Sequence, residues 1–378
     1  MIRPAIGNEP NHVITDDVAI SLGRIMPGMP PPNLRRIADR VDARLAELLA
    51  VERDRWSTLD PELAHPIDEI ARLVLSGGKR LRPAFCHWAY VGAGGGVDDR
   101  IDIDAGAAFE LMHAFALFHD DVMDDASTRR GQPTTHALAE ADHAAQGWAG
   151  ESRRFGEGVA ILVGDLAFVY ADQLLEAAPV EAIRIWNELR IELNIGQFLD
   201  ILGSVQRERS VVKAERICRY KSGKYTIERP LHLGAVLAAP ERADTLLPQL
   251  SGYGLPLGDA FQMRDDVMGA FGDANVTGKP VGGDLREGKP TPLLARAVAK
   301  ANRSQLAVLD LVGDPLLSDD DVERIQDVIV ETGALDDLEG HIASLTAAAI
   351  DAIGCADITD GAKTELIALA HYVSSRDL

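Results

Sequence analysis

The sequence predicts an all-α protein. Apolar residues return every three or four positions through one stretch after another, and short Gly, Pro and Asp punctuation separates those stretches. No run of strictly alternating apolar and polar residues competes with them. Helices of this kind bury their apolar faces against one another, so a single large helical bundle is expected.

Residues 1–33 carry Gly23, Pro27, Gly28, Pro30, Pro31 and Pro32, turn formers that mark an N-terminal extension rather than a core element. The helical domain is expected over 34–378. It opens where Leu34, Ile37, Val41, Leu45 and Leu48 recur at helical spacing, which predicts a helix over 34–54. Further helices are predicted over 66–75, 81–91, 102–124, 157–176, 180–202, 211–219, 222–238, 247–270, 291–300, 319–332, 335–352 and 362–375. Pro230 and Pro256 fall inside two of these spans and are expected to kink or split them. Gly92, Gly94, Gly95 and Gly96 predict a loop over 92–99. A second loop is predicted over 127–157, where Arg129, Arg130, Gly131, Pro133, Gly147, Gly150 and Gly156 leave room for a short helix near 135–146.

The chain of 378 residues is 46% hydrophobic and 26% charged, which excludes disorder throughout. Its formal net charge of -21 repels nucleic-acid phosphates and anionic membrane surfaces, so no nucleic-acid partner is expected. An anionic substrate must then be received by a local basic cluster or by bound cations. Cys86, Cys218 and Cys355 are widely spaced and form no CxxC pair, which fits a reducing, cytoplasmic compartment and buried thiols acting as small hydrophobes. No secretory or transit segment and no transmembrane-length apolar run is evident. A soluble enzyme is expected.

The sharpest local feature is His119-Asp120-Asp121-Val122-Met123-Asp124-Asp125, at the end of the apolar stretch 109–118. On a helix Asp120 and Asp124 share a face one turn apart, with Asp121 adjacent. Carboxylates so placed repel one another, and a hard cation bridging them offsets that cost. Asp265-Asp266 repeats part of the arrangement after the apolar stretch 255–263. The two groups can face each other across a helical cavity and bind magnesium whose remaining ligands are water and diphosphate oxygens. Basic residues complement them: Lys79, Arg80 and Arg82 in Gly77-Gly78-Lys79-Arg80-Leu81-Arg82-Pro83, then Arg129, Arg130, Lys221, Lys224, Lys279 and Lys289. Arginine grips diphosphate through its planar donor fork, and lysine supplies a mobile point charge.

In their order these motifs resemble those of the trans-prenyl diphosphate synthases, or polyprenyl synthetases. Gly78-Lys79-Arg80-Leu81-Arg82-Pro83 is similar to the family's GKRxRP segment, Asp120-Asp121-Val122-Met123-Asp124 with Arg129-Arg130-Gly131 to DDxxD and RRG, and Gly196-Gln197-Phe198-Leu199-Asp200 to GQxxD. Lys221-Ser222 stands where the family has KT, followed by Phe261-Gln262-Met263-Arg264-Asp265-Asp266, Gly278-Lys279-Pro280-Val281-Gly282-Gly283-Asp284 and Gly288-Lys289-Pro290-Thr291. The resemblance runs from about Ile37 to the C-terminal helices.

The resemblance implies the helical bundle of the isoprenoid synthases with a central substrate cavity, and a homodimer. It implies that Asp120, Asp121 and Asp124 hold two magnesium ions and that Asp265 and Asp266 hold a third. Arg129, Lys221, Lys279 and Lys289 would contact the diphosphate of the allylic substrate. Lys79, Arg82, His113 and Arg130 would hold isopentenyl diphosphate. His113 lies seven residues before Asp120, nearly two helical turns, and can share its face. The implied reaction ionises the allylic carbon–oxygen bond, joins the cation to isopentenyl diphosphate and loses a proton. Lys221, Ser222 and Gln262 would set dipoles around the reacting atoms, and the departing diphosphate would serve as base.

Product length is expected to depend on Phe115 and Ala116. Phe115 is five residues before Asp120, about 7.5 Å down a helix axis, where an aromatic side chain in this family limits the growing tail. That pattern implies geranylgeranyl diphosphate ahead of farnesyl diphosphate, with a longer polyprenyl product as a further alternative. The sequence departs from the family at Gly269, where many relatives carry a third aspartate and where Asp273 is a possible substitute. It also departs at Ser222, which keeps the hydroxyl of the usual threonine, and in a longer 132–156 stretch. A terpene cyclase shares the fold and an acidic motif but needs no isopentenyl site. A phosphohydrolase reading of His119-Asp120 lacks a spaced histidine ligand set, and a non-catalytic subunit of a two-component synthase would not be expected to keep both acidic groups.

Overall fold

Pro32 sits at the first helical position, where its missing N–H costs nothing, and a helix follows with Leu34, Ile37, Val41, Leu45 and Leu49 buried along one stripe. The computed structural model describes residues 30–129, 131–272, 282–314 and 316–375. Most of the expected N-terminal extension, residues 1–29, lies outside them. In chain order the helices are α1 (Pro32–Ser57), α2 (His65–Val74), α3 (Leu81–Gly92), α4 (Arg100–Met123), α5 (Thr135–Gln146), α6 (Ser152–Leu174), α7 (Val180–Val205) and α8 (Val211–Cys218). A π-helical segment, Arg219–Glu228, leads into α9 (Arg229–Ala238). Then come α10 (Ala243–Phe271), α11 (Gly283–Glu287), α12 (Pro292–Lys300), α13 (Arg303–Leu309), α14 (Asp319–Glu331), α15 (Ala334–Gly354) and α16 (Asp360–Ser374). The all-α expectation holds. The only strands among the described residues are the two-residue pair β1 (Thr128–Arg129) and β2 (Gln132–Pro133), joined antiparallel.

The apolar interior falls into two clusters that share α10. One gathers α1 to α4, α6, α7, α9 and α16 around the first half of α10. The other packs α12, α14 and α15 on its second half, from Ala260 to Ala270. Because both flanks of α10 are covered, the helix runs unbroken through Pro248 and Pro256, and the expected split at Pro256 does not occur. At Pro230 the ladder does change character. Pro230 has no N–H to donate back to Thr226, and the preceding ten residues take the wider π-helical turn before α9 resumes regular geometry.

Two other expectations need correction. The loop predicted over 127–157 contains the β1–β2 pair and the expected α5, but α6 already begins at Ser152. Gly156 lies within α6 because it meets α5 closely: a Cβ there would stand 2.3 Å from the His136 carbonyl oxygen. The short α13 was not foreseen, although Asn302 and Gln305 form a reciprocal capping box at its start. Of the cysteines, Cys86 and Cys218 are buried as expected, whereas Cys355 is exposed. Among the described residues no helix is long and apolar enough to cross a membrane.

Candidate active site

The last turn of α4 carries Asp120 and Asp121, and Asp124 caps it. Each meets a cation from another element. Arg129, on β1, donates from Nε to Asp121 at 2.7 Å and brings an Nη to 3.6 Å from Asp120. Lys221, on the π-helical segment, stands 3.4 Å from Asp120 and also binds Asp200 of α7. Gln197, one turn before Asp200, donates to Asp120 at 2.9 Å. The backbone of α7 can come this near because residue 196 is glycine: a Cβ there would lie 2.4 Å from the Lys221 nitrogen.

The second acidic group lies on α10. Asp266 is buried, accepts from Gln262 Nε2 at 2.9 Å and lies 3.6 Å from Cys218 Sγ. Asp265 is adjacent and partly exposed. Lys289 connects the two groups. Its Nζ stands 3.7 Å from Asp124, 3.9 Å from Asp284 and 2.5 Å from Glu287.

Burial works against the charge of every member, and the neighbours decide the outcome. Lys221, Lys289 and Arg129 more than offset the burial of Asp120 and hold its carboxyl below the usual range. Burial raises Asp121 despite the Arg129 hydrogen bond. Burial and then the neighbouring Asp120 push Asp124 up to about 6. Burial and then Asp284 push Asp266 up to about 8, with Asp265 adding to the effect. Lys221 is raised because Asp120 and Asp200 outweigh its burial, and Lys289 is raised because Asp284, Glu287 and Asp124 do the same.

A second basic group forms between α3, α4 and the π-helical segment. The Arg82 guanidinium lies 4.3 Å from the Tyr225 ring centroid and donates to Thr226 Oγ1 at 3.3 Å, while its buried Nε has no hydrogen-bond partner among the described residues. His113 approaches the same tyrosine, with ring centroids 6.2 Å apart. Lys79 is exposed just before α3, and Ser222 is half-buried beside Lys221. Arg80 is not part of an anion site. It is buried, pairs with Glu110 at 2.5 Å and Asp42 at 2.7 Å, and donates to the Val74 carbonyl. Lys224 is likewise committed to Glu192. Phe115 meets Phe168 of α6 at a tilt and His119 edge-on, with ring centroids 4.8 and 4.6 Å away, and Ala116 is half-buried beside it. Arg130, Lys279 and Asp273 lie outside the described residues.

The arrangement thus brings Asp120, Asp121, Asp124, Arg129, Lys221 and Lys289 together, and ties Asp266 and Gln262 to them through Asp284 and Lys289. Sequence reasoning quoted Gln197 and Asp200 as a motif without giving them a contact; their spacing of three, one helical turn, is the signal that could have done so. Tyr225, Thr226 and Glu287 carried no signal. Magnesium fits this donor set. All the acidic donors are hard carboxylate oxygens, and Asp124 and Asp266, displaced upward, are favoured as anions only by added positive charge. Among the described residues no three His, Cys, Asp or Glu side chains are grouped closely enough to hold a metal by themselves.

A family model described as polyprenyl synthetase matches residues 64–329. The chain is 34% identical over 315 residues to the geranylfarnesyl diphosphate synthase of Aeropyrum pernix, a match covering 80% of this chain and 92% of that protein. It is 34% identical over 309 residues to the geranylgeranyl diphosphate synthase of Mycobacterium tuberculosis, covering 80% and 81% of the two chains. Its fold matches the crystal structure of geranylgeranyl pyrophosphate synthase from Corynebacterium glutamicum complexed with isoprenyl diphosphate and magnesium, with a TM-score of 0.84, 36% identity and coverage of 91% and 99%.

The displaced carboxyls predict a pH dependence. Folded values of about 6 and about 8 lie above the ordinary carboxylate value, so these groups favour the metal-free fold while protonated and cost it stability as pH rises through them. A magnesium ion held by these carboxylates would have to displace those protons. The gain in thermal midpoint from magnesium plus inorganic diphosphate should therefore be larger at pH 8.5 than at pH 5.5 in differential scanning fluorimetry. An equal gain at both would refute the assignment.

Proposed function

This chain belongs to the polyprenyl synthetase family, and on that premise we propose that it condenses an allylic diphosphate with isopentenyl diphosphate, lengthening the product by five carbons. The observation that carries the reading is Lys289 standing between Asp124 and Asp284 while Lys221 and Arg129 stand on Asp120 and Asp121. Carboxylates and cations alternate there as a metal–diphosphate assembly requires.

Asp120, Asp121, Asp124, Asp265 and Asp266 are the residues that would hold magnesium, three ions by the family resemblance; the metal supplies charge stabilisation to the leaving diphosphate when bound. Arg129, Lys221 and Lys289, with Lys279, bind the diphosphate oxygens and lower the cost of the negative charge that develops as the allylic carbon–oxygen bond breaks. Arg82 and His113, with Lys79 and Arg130, hold isopentenyl diphosphate and orient its double bond toward the allylic carbon. Ser222, Lys221 and Gln262 present dipoles near the reacting region. The proton lost from the carbon beside the condensed cation, as the new double bond forms, passes to the departing diphosphate. The basic pair at Tyr225 favours a synthase over a cyclase, since a cyclase has no second diphosphate to hold. The apolar helix faces must exclude water, which would otherwise capture the cation.

Geranylgeranyl diphosphate is the product we propose, with farnesyl diphosphate the alternative. Support comes from Phe115, five residues before Asp120 on α4 and backed by Phe168. The chain is also proposed to act as a homodimer. On α6, Phe155, Leu162 and Val169 are exposed at spacings of seven, and on α7, Ile191, Ile195, Phe198 and Val205 continue an exposed apolar stripe.

Incubation with magnesium, isopentenyl diphosphate and primers of several lengths, followed by product sizing, tests the reaction; failure to elongate any primer would reject it. Asp120→Ala is expected to lower turnover at least about 100-fold with its circular dichroism unchanged, in line with the loss of one preorganised charge-stabilising group. Wild-type activity in that variant would reject the metal assignment. Phe115→Ala is expected to shift product toward longer chains, and an unchanged distribution would defeat the tail-limiting role. Leu162→Glu, which places a charge at a residue 68% exposed, is expected to convert a dimer to monomer in light scattering. A dimer that persists would place the interface elsewhere.

A further inference from the structure

Glu192, Gly196 and Asp200 stand four residues apart on the buried face of α7, and the π-helical segment lies along them. Asp200 takes the Lys221 ammonium, and Gly196 admits the Lys221 backbone. Glu192 has no part in the reaction proposed above, yet it receives two cations. Lys224 donates to its Oε1, and Arg229 donates from Nε to Oε2 at 2.6 Å and from Nη2 to Oε1 at 2.7 Å. Burial works against the Glu192 charge, and the Arg229 and Lys224 hydrogen bonds outweigh it and hold the carboxyl below its usual range.

Those two cations are five residues apart, and their meeting depends on how the backbone is wound. An α-helix would set them about 140° apart around its axis. Here the Arg229 N–H donates to the Lys224 carbonyl, the bond between residues five apart that defines a π turn, and both side chains reach one carboxylate. Such turns are rare and need a cause. Pro230 removes one α-type bond without supplying another, whereas Glu192 grips both ends of the π turn from outside. The opposite side is closed by α10, where a Cβ on Gly258 would lie 2.6 Å from the Gly223 carbonyl oxygen. Beyond the turn, α9 is anchored in the core by Leu231, Leu233 and Val236. A change of winding must therefore be taken up on the other side of Lys224, where Ser222 and Lys221 stand.

We propose that Glu192 is a positioning residue for the diphosphate site: by holding Lys224 and Arg229 together it fixes the π winding of Arg219–Glu228, and with it the place of the Lys221 ammonium between Asp120 and Asp200. The inference rests on the reading given above that Lys221 binds the substrate diphosphate. Loss of the Glu192 charge then acts through Lys221, and has nothing left to disturb at that site once Lys221 is gone.

A double-mutant cycle on the purified full chain tests this, read by calorimetric binding of inorganic diphosphate in the presence of magnesium, below the thermal midpoint of every variant. Glu192→Gln keeps the shape of the side chain and removes the charge that joins the two cations. It should weaken binding at least about tenfold, the scale of losing one hydrogen bond to a charged group. In a Lys221→Met background the same change should weaken binding less than about twofold, because the two residues act as one unit. Lys224→Met, which cuts the clamp on its π-helical side and leaves the Arg229–Glu192 pair in place, should show the same dependence on Lys221 and serves should Glu192→Gln not fold. Wild-type affinity in the folded clamp variant, or an equal loss in both backgrounds, overturns the proposal, the equal loss assigning Glu192 to the stability of the fold alone. Wild-type affinity in Lys221→Met would instead overturn the diphosphate-binding reading of Lys221 itself.

Discussion

Carboxylates gathered at the ends of two apolar helices repel one another unless positive charge stands between them. Two unit charges 4 Å apart interact by about 4 kcal/mol at an effective dielectric constant near 20, comparable to a large share of a protein's net stability. In a chain with a net charge of -21, cations cannot be left to chance placement. Lys221, Lys289 and Arg129 each come from a locally unusual piece of backbone: a π-helical segment, a turn closed by two left-handed glycines, and a two-residue strand pair. Long regular helices carry Asp120, Asp121, Asp265 and Asp266, and irregular segments carry the three cations.

The bundle makes that division possible. Both halves of α10 are covered by apolar neighbours, and the helix continues unbroken through two prolines to carry Asp265 and Asp266. The close approach at Gly196 brings the π-helical segment against α7, so that Lys221 spans from Asp200 to Asp120. Packing distance and charge placement are one problem here. A methyl group at position 196 would move a lysine.

Much of this was legible in the sequence. Helical periodicity located most of the helices, since that signal reports the apolar stripe each helix buries, and the spacing of Asp120, Asp121 and Asp124 located the acidic face. What was not legible depends on contacts between distant segments. Gly156 reads as a breaker by its own propensity yet lies inside α6, because close packing on α5 outweighs that local preference. Pro256 reads as a break yet sits in an intact helix for the same reason. The close approach of the Asp284 side chain to Gly269 spans fifteen positions and has no local signature at all.

The Lys79 to Arg82 segment shows how one short run can serve both fold and site. Arg80 takes a left-handed backbone, φ +48°, which turns its side chain inward to Glu110, Asp42 and the Val74 carbonyl. Arg82, two residues later in the first turn of α3, reaches Tyr225 and Thr226 instead. Glu110 is one turn before His113 on α4, so the buried Arg80–Glu110 pair ties the start of α3 to the stretch of α4 that carries His113. Breaking such a pair by removing one partner typically costs about 3–5 kcal/mol, because the remaining charge is left buried. The buried Arg80 pair therefore joins the two helix segments whose side chains, Arg82 and His113, meet at Tyr225.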